Sequence, residues 1–217
     1  MYLLALLAFT AAVISFAVSF IIRRMSEKYR LYPKIRERDV HSTPTPRLGG
    51  IAMYLGVVVA FGVASRLDFF HVVFADPGPV WTIIGAAGVI VVVGVLDDIF
   101  DLDWTLKLAA QLAVAAWVAW QGIQIISLPI GGLTVGSPVL SFIITILAIV
   151  LVMNAMNFID GLDGLVAGVA IISNGVFLIY SYLLTREVSP SNYFNLASLI
   201  AALIVGACAG FLPFNWH

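Results

Sequence analysis

The chain has 217 residues, of which 62% are hydrophobic and only 11% charged, against roughly half apolar and a quarter charged in an ordinary soluble domain. A soluble fold of this size could not bury so much apolar surface, which excludes a soluble enzyme, a nucleic-acid binder and a disordered linker. The net charge of −1 carries no bulk signal for a polyanionic partner.

Apolar tracts recur at about 3–22, 48–66, 80–96, 104–126, 138–156, 164–184 and 196–212. Each is long enough to cross a bilayer, with 80–96 at the short limit. Helices are expected throughout, because backbone groups in hydrocarbon must be satisfied within their own segment. The reading is an all-α, polytopic integral membrane protein of about seven transmembrane helices, with residues 1–217 forming a single transmembrane domain. The first tract lacks a basic residue before it and a small-residue cleavage pattern, and Arg23-Arg24 follow it directly. It reads as an anchor with its N-terminus outside. Cys208 is the single cysteine, set in an apolar stretch, and is expected to pack as a small core residue.

Charge is distributed unevenly. Eight of the eleven Lys and Arg residues fall between Arg23 and Arg47, which places that loop in the cytoplasm. Alternation then puts 97–103, 157–163 and 213–217 on the same side. It closes with His41-Ser42-Thr43-Pro44-Thr45-Pro46-Arg47-Leu48-Gly49-Gly50. Two prolines stiffen this segment, and Arg47 stands beside a helix N-terminus, a natural place for an anionic group. His41 can titrate or bind phosphate, although taken alone it reads as an ordinary loop histidine.

Six of the twelve acidic residues are aspartates in two short cytoplasmic loops: Asp97, Asp98, Asp101 and Asp103, then Asp160 and Asp163. Such density means mutual repulsion unless something offsets it. A divalent cation is the simplest offset, and magnesium takes one or two carboxylates together with water and phosphate oxygens. In Asp97-Asp98-Ile99-Phe100-Asp101, a continuing helix would put Asp97 and Asp101 on one face with Asp98 beside them. In Asn154-Ala155-Met156-Asn157-Phe158-Ile159-Asp160-Gly161-Leu162-Asp163-Gly164, polar residues every three positions would line one side of a helix end. Asn154 and Asn157 could instead serve helix–helix hydrogen bonding. Lys107, one turn into the fourth span, could snorkel to the interface; it could also neutralise Asp103 or a substrate phosphate, with Gln111 one turn deeper on the same face. Clustered carboxylates, an implied magnesium and basic residues at a lipid-facing site match phosphoryl transfer to a membrane-bound acceptor.

On the three segments His41–Gly50, Leu96–Asp101 and Asn154–Gly164, in this order and on one side of the membrane, the chain resembles the polyprenyl-phosphate N-acetylhexosamine-1-phosphate transferases of the glycosyltransferase family 4 type. The H-x-x-P-T-P-R form is closer to the GlcNAc branch than to the phospho-N-acetylmuramoyl-pentapeptide branch. The resemblance implies transfer of GlcNAc 1-phosphate from a UDP-sugar donor to a polyprenyl phosphate acceptor, with release of UMP, at the cytoplasmic face of the plasma membrane. It implies Mg2+, with Mn2+ as a substitute, held by Asp97, Asp98 and Asp160. Asp163 and Asn157 would contact the nucleotide, and His41, Arg47, Lys107 and Asn154 would complete the substrate-binding set. Which aspartate acts as a base, if any, stays open, since the attacking phosphate is already anionic. The lipid bilayer is an expected partner, nucleic acid is not, and a homodimer is left open.

Relatives of this family continue into a segment containing M-G-D, whose aspartate is expected to bind magnesium directly. The chain stops at His217 and reads as the N-terminal two-thirds of a longer fold. An intramembrane prenyltransferase would also use D-D-x-x-D, but leaves the P-T-P-R-L-G-G segment unexplained. A seven-span transporter would place ionisable groups near mid-membrane rather than at one surface. A CDP-alcohol phosphotransferase needs an Ala-Arg after its Asp-Gly, where this chain has Leu165-Val166. The 217-residue chain by itself is expected to be inactive, and purified chain that released UMP from UDP-GlcNAc and polyprenyl phosphate would overturn that expectation.

Overall fold

The computed structural model describes residues 1–29, 49–127, 136–160, 162–188 and 195–216. The described chain is helical: α1 (Tyr2–Tyr29), α2 (Gly49–Ala64), a 3-10 turn (Asp68–Phe70) leading into the short α3 (His71–Ala75), α4 (Gly78–Phe100), α5 (Trp104–Trp120), α6 (Pro138–Ile159), α7 (Leu165–Val188) and α8 (Leu196–Asn215). Stretches of α1, α4, α6, α7 and α8 are each long and apolar enough to cross a membrane. The chain is a multi-pass membrane protein.

Three of the expected spans need correction. The tract 48–66 is a helix of 16 residues, and α2 and the turn–α3 segment after it meet at a bend of 100°. The tract 80–96 is longer than expected, running from Gly78 to Phe100 and carrying Asp97 and Asp98 in its last turn. The tract 104–126 stops at Trp120 after 17 residues, about 25 Å of helix. Its apolar tail, Ile123, Ile125 and Ile126, turns away at Gly122, whose φ of +86° glycine adopts without strain. Gln124 Nε2 caps the helix by donating to the Ala119 carbonyl at 2.9 Å. Ser141 Oγ donates to the Ile125 carbonyl at 2.6 Å, and the Ile125 N–H donates to Thr145 Oγ1 at 2.9 Å. The tail is therefore tied to α6 rather than continuing α5.

The chain divides into two compact units, Met1–Pro77 with Asp160–His217, and Gly78–Ile159. In the first, α8 packs against α1, α2 and α7. The contact with α1 is made at small residues. A Cβ placed on Gly206 or Gly210 would overlap the Ala8 and Ala12 carbonyls, and one on Gly56 of α2 would lie 2.7 Å from the Ala11 carbonyl. Close backbone approach of this kind drives helix association in lipid, where apolar burial gives no net gain. Ser15 Oγ adds a buried hydrogen bond of 2.8 Å to the Ala207 carbonyl. Asn195 caps α8, accepting from the Ser198 N–H at 2.7 Å, and its side chain also joins Ser181 and Thr185 of α7.

In the second unit, α5 packs against both α4 and α6. Gly85 of α4 makes room for the Trp117 ring of α5, whose edge would lie 2.8 Å from an added Cβ.

Gly206→Leu is expected to force α1 and α8 apart and to destabilise the first unit by at least 1–3 kcal/mol, on the order of overpacking elsewhere. Gly62→Ala, which meets nothing within 4 Å, is the control and should leave the melting temperature in detergent unchanged or slightly raised. Equal melting temperatures for Gly206→Leu and the native chain would refute the packing role.

Candidate functional site

In the unit Gly78–Ile159, the polar groups gather where α4 ends and α5 begins. Asp97 and Asp98 sit on the last turn of α4. Asp101 leaves the helix, with φ +52° and its N–H donating to the Asp97 carbonyl at 2.9 Å. The expectation that Asp97 and Asp101 share one face of a continuing helix is therefore corrected: the helix closes at Phe100, and Asp101 takes the left-handed conformation that asparagine and aspartate tolerate at a helix end.

Asp97 is held from two directions. The Leu102 N–H donates to its Oδ1 at 3.0 Å, and Lys107 Nζ lies 3.1 Å from Oδ1 and 3.3 Å from Oδ2. Both side chains are mostly covered, at 21% exposed for Asp97 and 32% for Lys107. Partial burial makes such a pair costly to break from one side, because it leaves an uncompensated charge. Besides snorkelling to the interface, Lys107 had Asp103 or a substrate phosphate as candidate partners. Asp103 instead caps α5, accepting from the Thr105 N–H at 3.2 Å and from its hydroxyl. Those hydrogen bonds, the hydroxyl foremost, hold the Asp103 carboxyl below the usual carboxylate range.

One turn beyond Lys107, Gln111 reaches across to α6. Asn154 Nδ2 donates to Gln111 Oε1 at 2.6 Å and to the Val150 carbonyl at 2.8 Å. Asn157, three residues on, is exposed near the end of α6. The two asparagines lie on one helix, as their spacing suggests. Asp160 and Asp163 do not continue that line, since α6 closes at Ile159 and both follow it in turns.

Those two aspartates belong to the other unit. Asp160 is exposed as a residue, yet partial loss of water around its carboxyl pushes the pKa up. Gly164, which closes the Asp163-Gly164 pair, has φ +68°, and a Cβ there would crowd Leu212 at 3.3 Å and Trp216 at 3.4 Å of α8. That glycine sets the turn into α7. His41 and Arg47 lie outside the described residues.

Among the described residues, no three His, Cys, Asp or Glu side chains converge on a point that could hold a metal ion. A cation ligated by protein alone does not fit these side chains. Magnesium commonly uses only one or two carboxylates and takes phosphate oxygens and water for the rest. The hard oxygen donors of the Asp97-Asp98 pair suit that mode.

Residues 80–217 match the family model for glycosyl transferase family 4. The chain belongs to this family. It is 37% identical over 220 residues to the decaprenyl-phosphate N-acetylglucosaminephosphotransferase of Mycobacterium leprae, covering 99% of this chain and 55% of that protein. The protein of the same name from Mycolicibacterium smegmatis is also 37% identical, over 99% of this chain and 54% of its own length. A probable undecaprenyl-phosphate N-acetylglucosaminyl 1-phosphate transferase from Bacillus subtilis is 27% identical over 91% of this chain and 51% of its own length. The chain thus spans about half the length of the curated relatives it matches.

The raised pKa of Asp160 has a consequence for stability. Its folded pKa lies above the unfolded value, so the protonated form favours the fold and that advantage is lost as pH rises through the folded pKa. Asp160→Asn is therefore expected to melt higher than the native chain at pH 7. The difference should shrink as pH falls through about 4 and vanish near pH 2–3, where the carboxyl is protonated in both states. Melting curves in detergent at the two pH values check this, and a variant that melts lower at pH 7 would contradict it.

Proposed function

We propose that the gene product carrying this sequence transfers GlcNAc 1-phosphate from UDP-GlcNAc to a polyprenyl phosphate, releasing UMP and starting a cell-envelope glycan on its lipid carrier. The observation that carries the reading is the 37% identity, over 99% of the chain, to relatives named for that acceptor class and sugar. The aspartates, lysine and amides at the ends of α4, α5 and α6 are the groups such a transfer uses.

In the proposed reaction an oxygen of the polyprenyl phosphate attacks the sugar-bearing phosphorus of UDP-GlcNAc. A new P–O–P bond forms, the bond to the UMP oxygen breaks, and UMP leaves with that electron pair. Catalysis of this kind rests on positioning and on stabilising the charge of the transferring group. Magnesium, when bound, would supply Lewis-acid neutralisation of phosphate oxygens; we assign Asp97 and Asp98 to hold it, and Asp160 to the phosphate region of the substrate. Lys107 steadies Asp97 and brings a positive charge to the α4–α5 end. Asn157 and Asp163 are assigned to the nucleotide, and Asn154, Arg47 and His41 to substrate phosphate and sugar. The attacking group is already anionic at neutral pH, so no residue need remove a proton from it. The basic residues Arg23, Arg24 and Lys28 at the end of α1 support a cytoplasmic active face by the positive-inside rule, and we assign the protein to the plasma membrane.

Membranes containing the gene product, supplied with radiolabelled UDP-GlcNAc, decaprenyl phosphate and Mg2+, should form butanol-soluble label and UMP in equal amounts. Asp97→Asn, Asp98→Asn and Asp160→Asn should each lower the rate at least a hundredfold while the protein still inserts. Chelation with EDTA should abolish turnover, and added Mg2+ should restore it. Lipid-linked label absent from membranes that hold the protein would refute the reading, and near-native rates in all three variants would refute the metal assignment.

A further inference from the structure

The hydrogen bond between α5 and α6 fixes the direction of two amides. The Val150 carbonyl can only accept, so the end of Asn154 facing it must be Nδ2, which donates there at 2.8 Å. The same Nδ2 donates to Gln111 at 2.6 Å, so Gln111 must present Oε1 to it. Gln111 Nε2, with two N–H donors, therefore points away from Asn154. Among the described residues those donors have no acceptor. Lys107 precedes Gln111 by four residues on α5, which puts the two on one face of the helix, roughly 5–6 Å apart at Cβ.

The Gln111 amide nitrogen is not among the buried unpartnered atoms, so its donors stand open to a ligand about 10 Å into a helix flanked by apolar residues. Its neighbour in the row is a cation. A matched ligand for an ammonium and an amide N–H pair is an oxyanion, and a phosphate group has enough oxygens to reach both. We propose that Gln111 is a phosphate-binding residue, whose Nε2 acts with Lys107 Nζ on a phosphate of a bound substrate. Asn154 serves it by holding Oε1 and so aiming Nε2. This deepens the transferase reading and rests on it for the source of the phosphate, which is either the lipid phosphate or the nucleotide diphosphate.

The test measures binding separately from turnover. The gene product is placed in nanodiscs, and dissociation constants are determined for decaprenyl phosphate in the disc and for UDP-GlcNAc in solution. Gln111→Glu keeps an oxygen for Asn154 but replaces the N–H donors with negative charge. It should weaken one of the two ligands at least tenfold, and which ligand identifies the phosphate. Gln111→Met removes the donors without adding charge and should weaken the same ligand by a smaller factor, at a melting temperature that verifies the fold. A purely structural role predicts the reverse order, with Gln111→Glu tolerated and Gln111→Met destabilised at unchanged affinity. That order, or native affinity for both ligands in both variants, overturns the proposal. Label transfer by the native protein is scored independently. Its absence alongside intact, Gln111-dependent binding would refute the transferase reading and leave this one standing.

Discussion

In hydrocarbon, a polar group that finds no partner within the protein finds none at all, and most details of this structure follow from that constraint. The backbone answers it by forming helices. Hydroxyl and amide side chains within the helices answer it locally: Thr82 Oγ1 donates to the Gly78 carbonyl, Ser173 Oγ to Val169 and Asn174 Nδ2 to Ala170, each four residues back. Where a helix stops, side chains take over from the ladder. Gln124 closes α5, Asp103 opens it, and Asn195 opens α8. Ser19 Oγ is the exception among the described residues, buried in α1 without a partner.

The same constraint explains why the two units are held together differently. Apolar side chains exchange lipid for protein with little gain, so α1 and α8 associate by bringing backbones close at Gly206 and Gly210, with Ser15 adding one buried hydrogen bond. The unit built on α4, α5 and α6 relies more on polar ties, from Gln111 to Asn154 and from Ser141 and Thr145 to Ile125. The first joins α5 to α6, and the others hold the tail after α5 against α6. They leave most of the apolar surface of α6 facing outward, with Leu147 61% and Leu151 70% exposed, as a lipid-facing helix requires.

Much of this was legible in the residues. Each of the seven apolar tracts contains a helix, but α2 and α5, at 16 and 17 residues, are shorter than the five that are long and apolar enough to cross a membrane alone. The ends were less legible, because side-chain hydrogen bonds decide them. Ile123, Ile125 and Ile126 are as apolar as a span, and only the pairing of residue 125 with Ser141 and Thr145, far along the chain, removes them from α5. The aspartates were recognisable as a chemical group, but their arrangement was not. A spacing of four residues assumes a helix, and α4 closes before Asp101. The three-residue period of Asn154, Asn157, Asp160 and Asp163 likewise assumes that α6 continues, and it stops at Ile159. Lys107 follows four aspartates within ten residues. It forms its ion pair with the most distant, Asp97, while Asp103 accepts from Thr105 and feels Lys107 only through its charge. The contact of Gln111 with Asn154 could be anticipated only as an amide on the Lys107 face.

The Asp97–Lys107 pair also alters the charge argument for a cation. Four carboxylates at the α4–α5 end would repel an incoming phosphate, by about 4 kcal/mol for each close pair of like charges at an effective dielectric constant near 20. Lys107 offsets one of them, and the cap at Asp103 spreads the charge of another over N–H and O–H donors. A lysine and an amide can hold the far oxygens of a phosphate, but they cannot stand between its near oxygens and a carboxylate. Only a cation that accepts ligands from both sides can do that, which is the role proposed here for magnesium. In this view Lys107 and the metal are complementary. The lysine fixes the Asp97 carboxylate in place, and the cation would join a carboxylate to the phosphate.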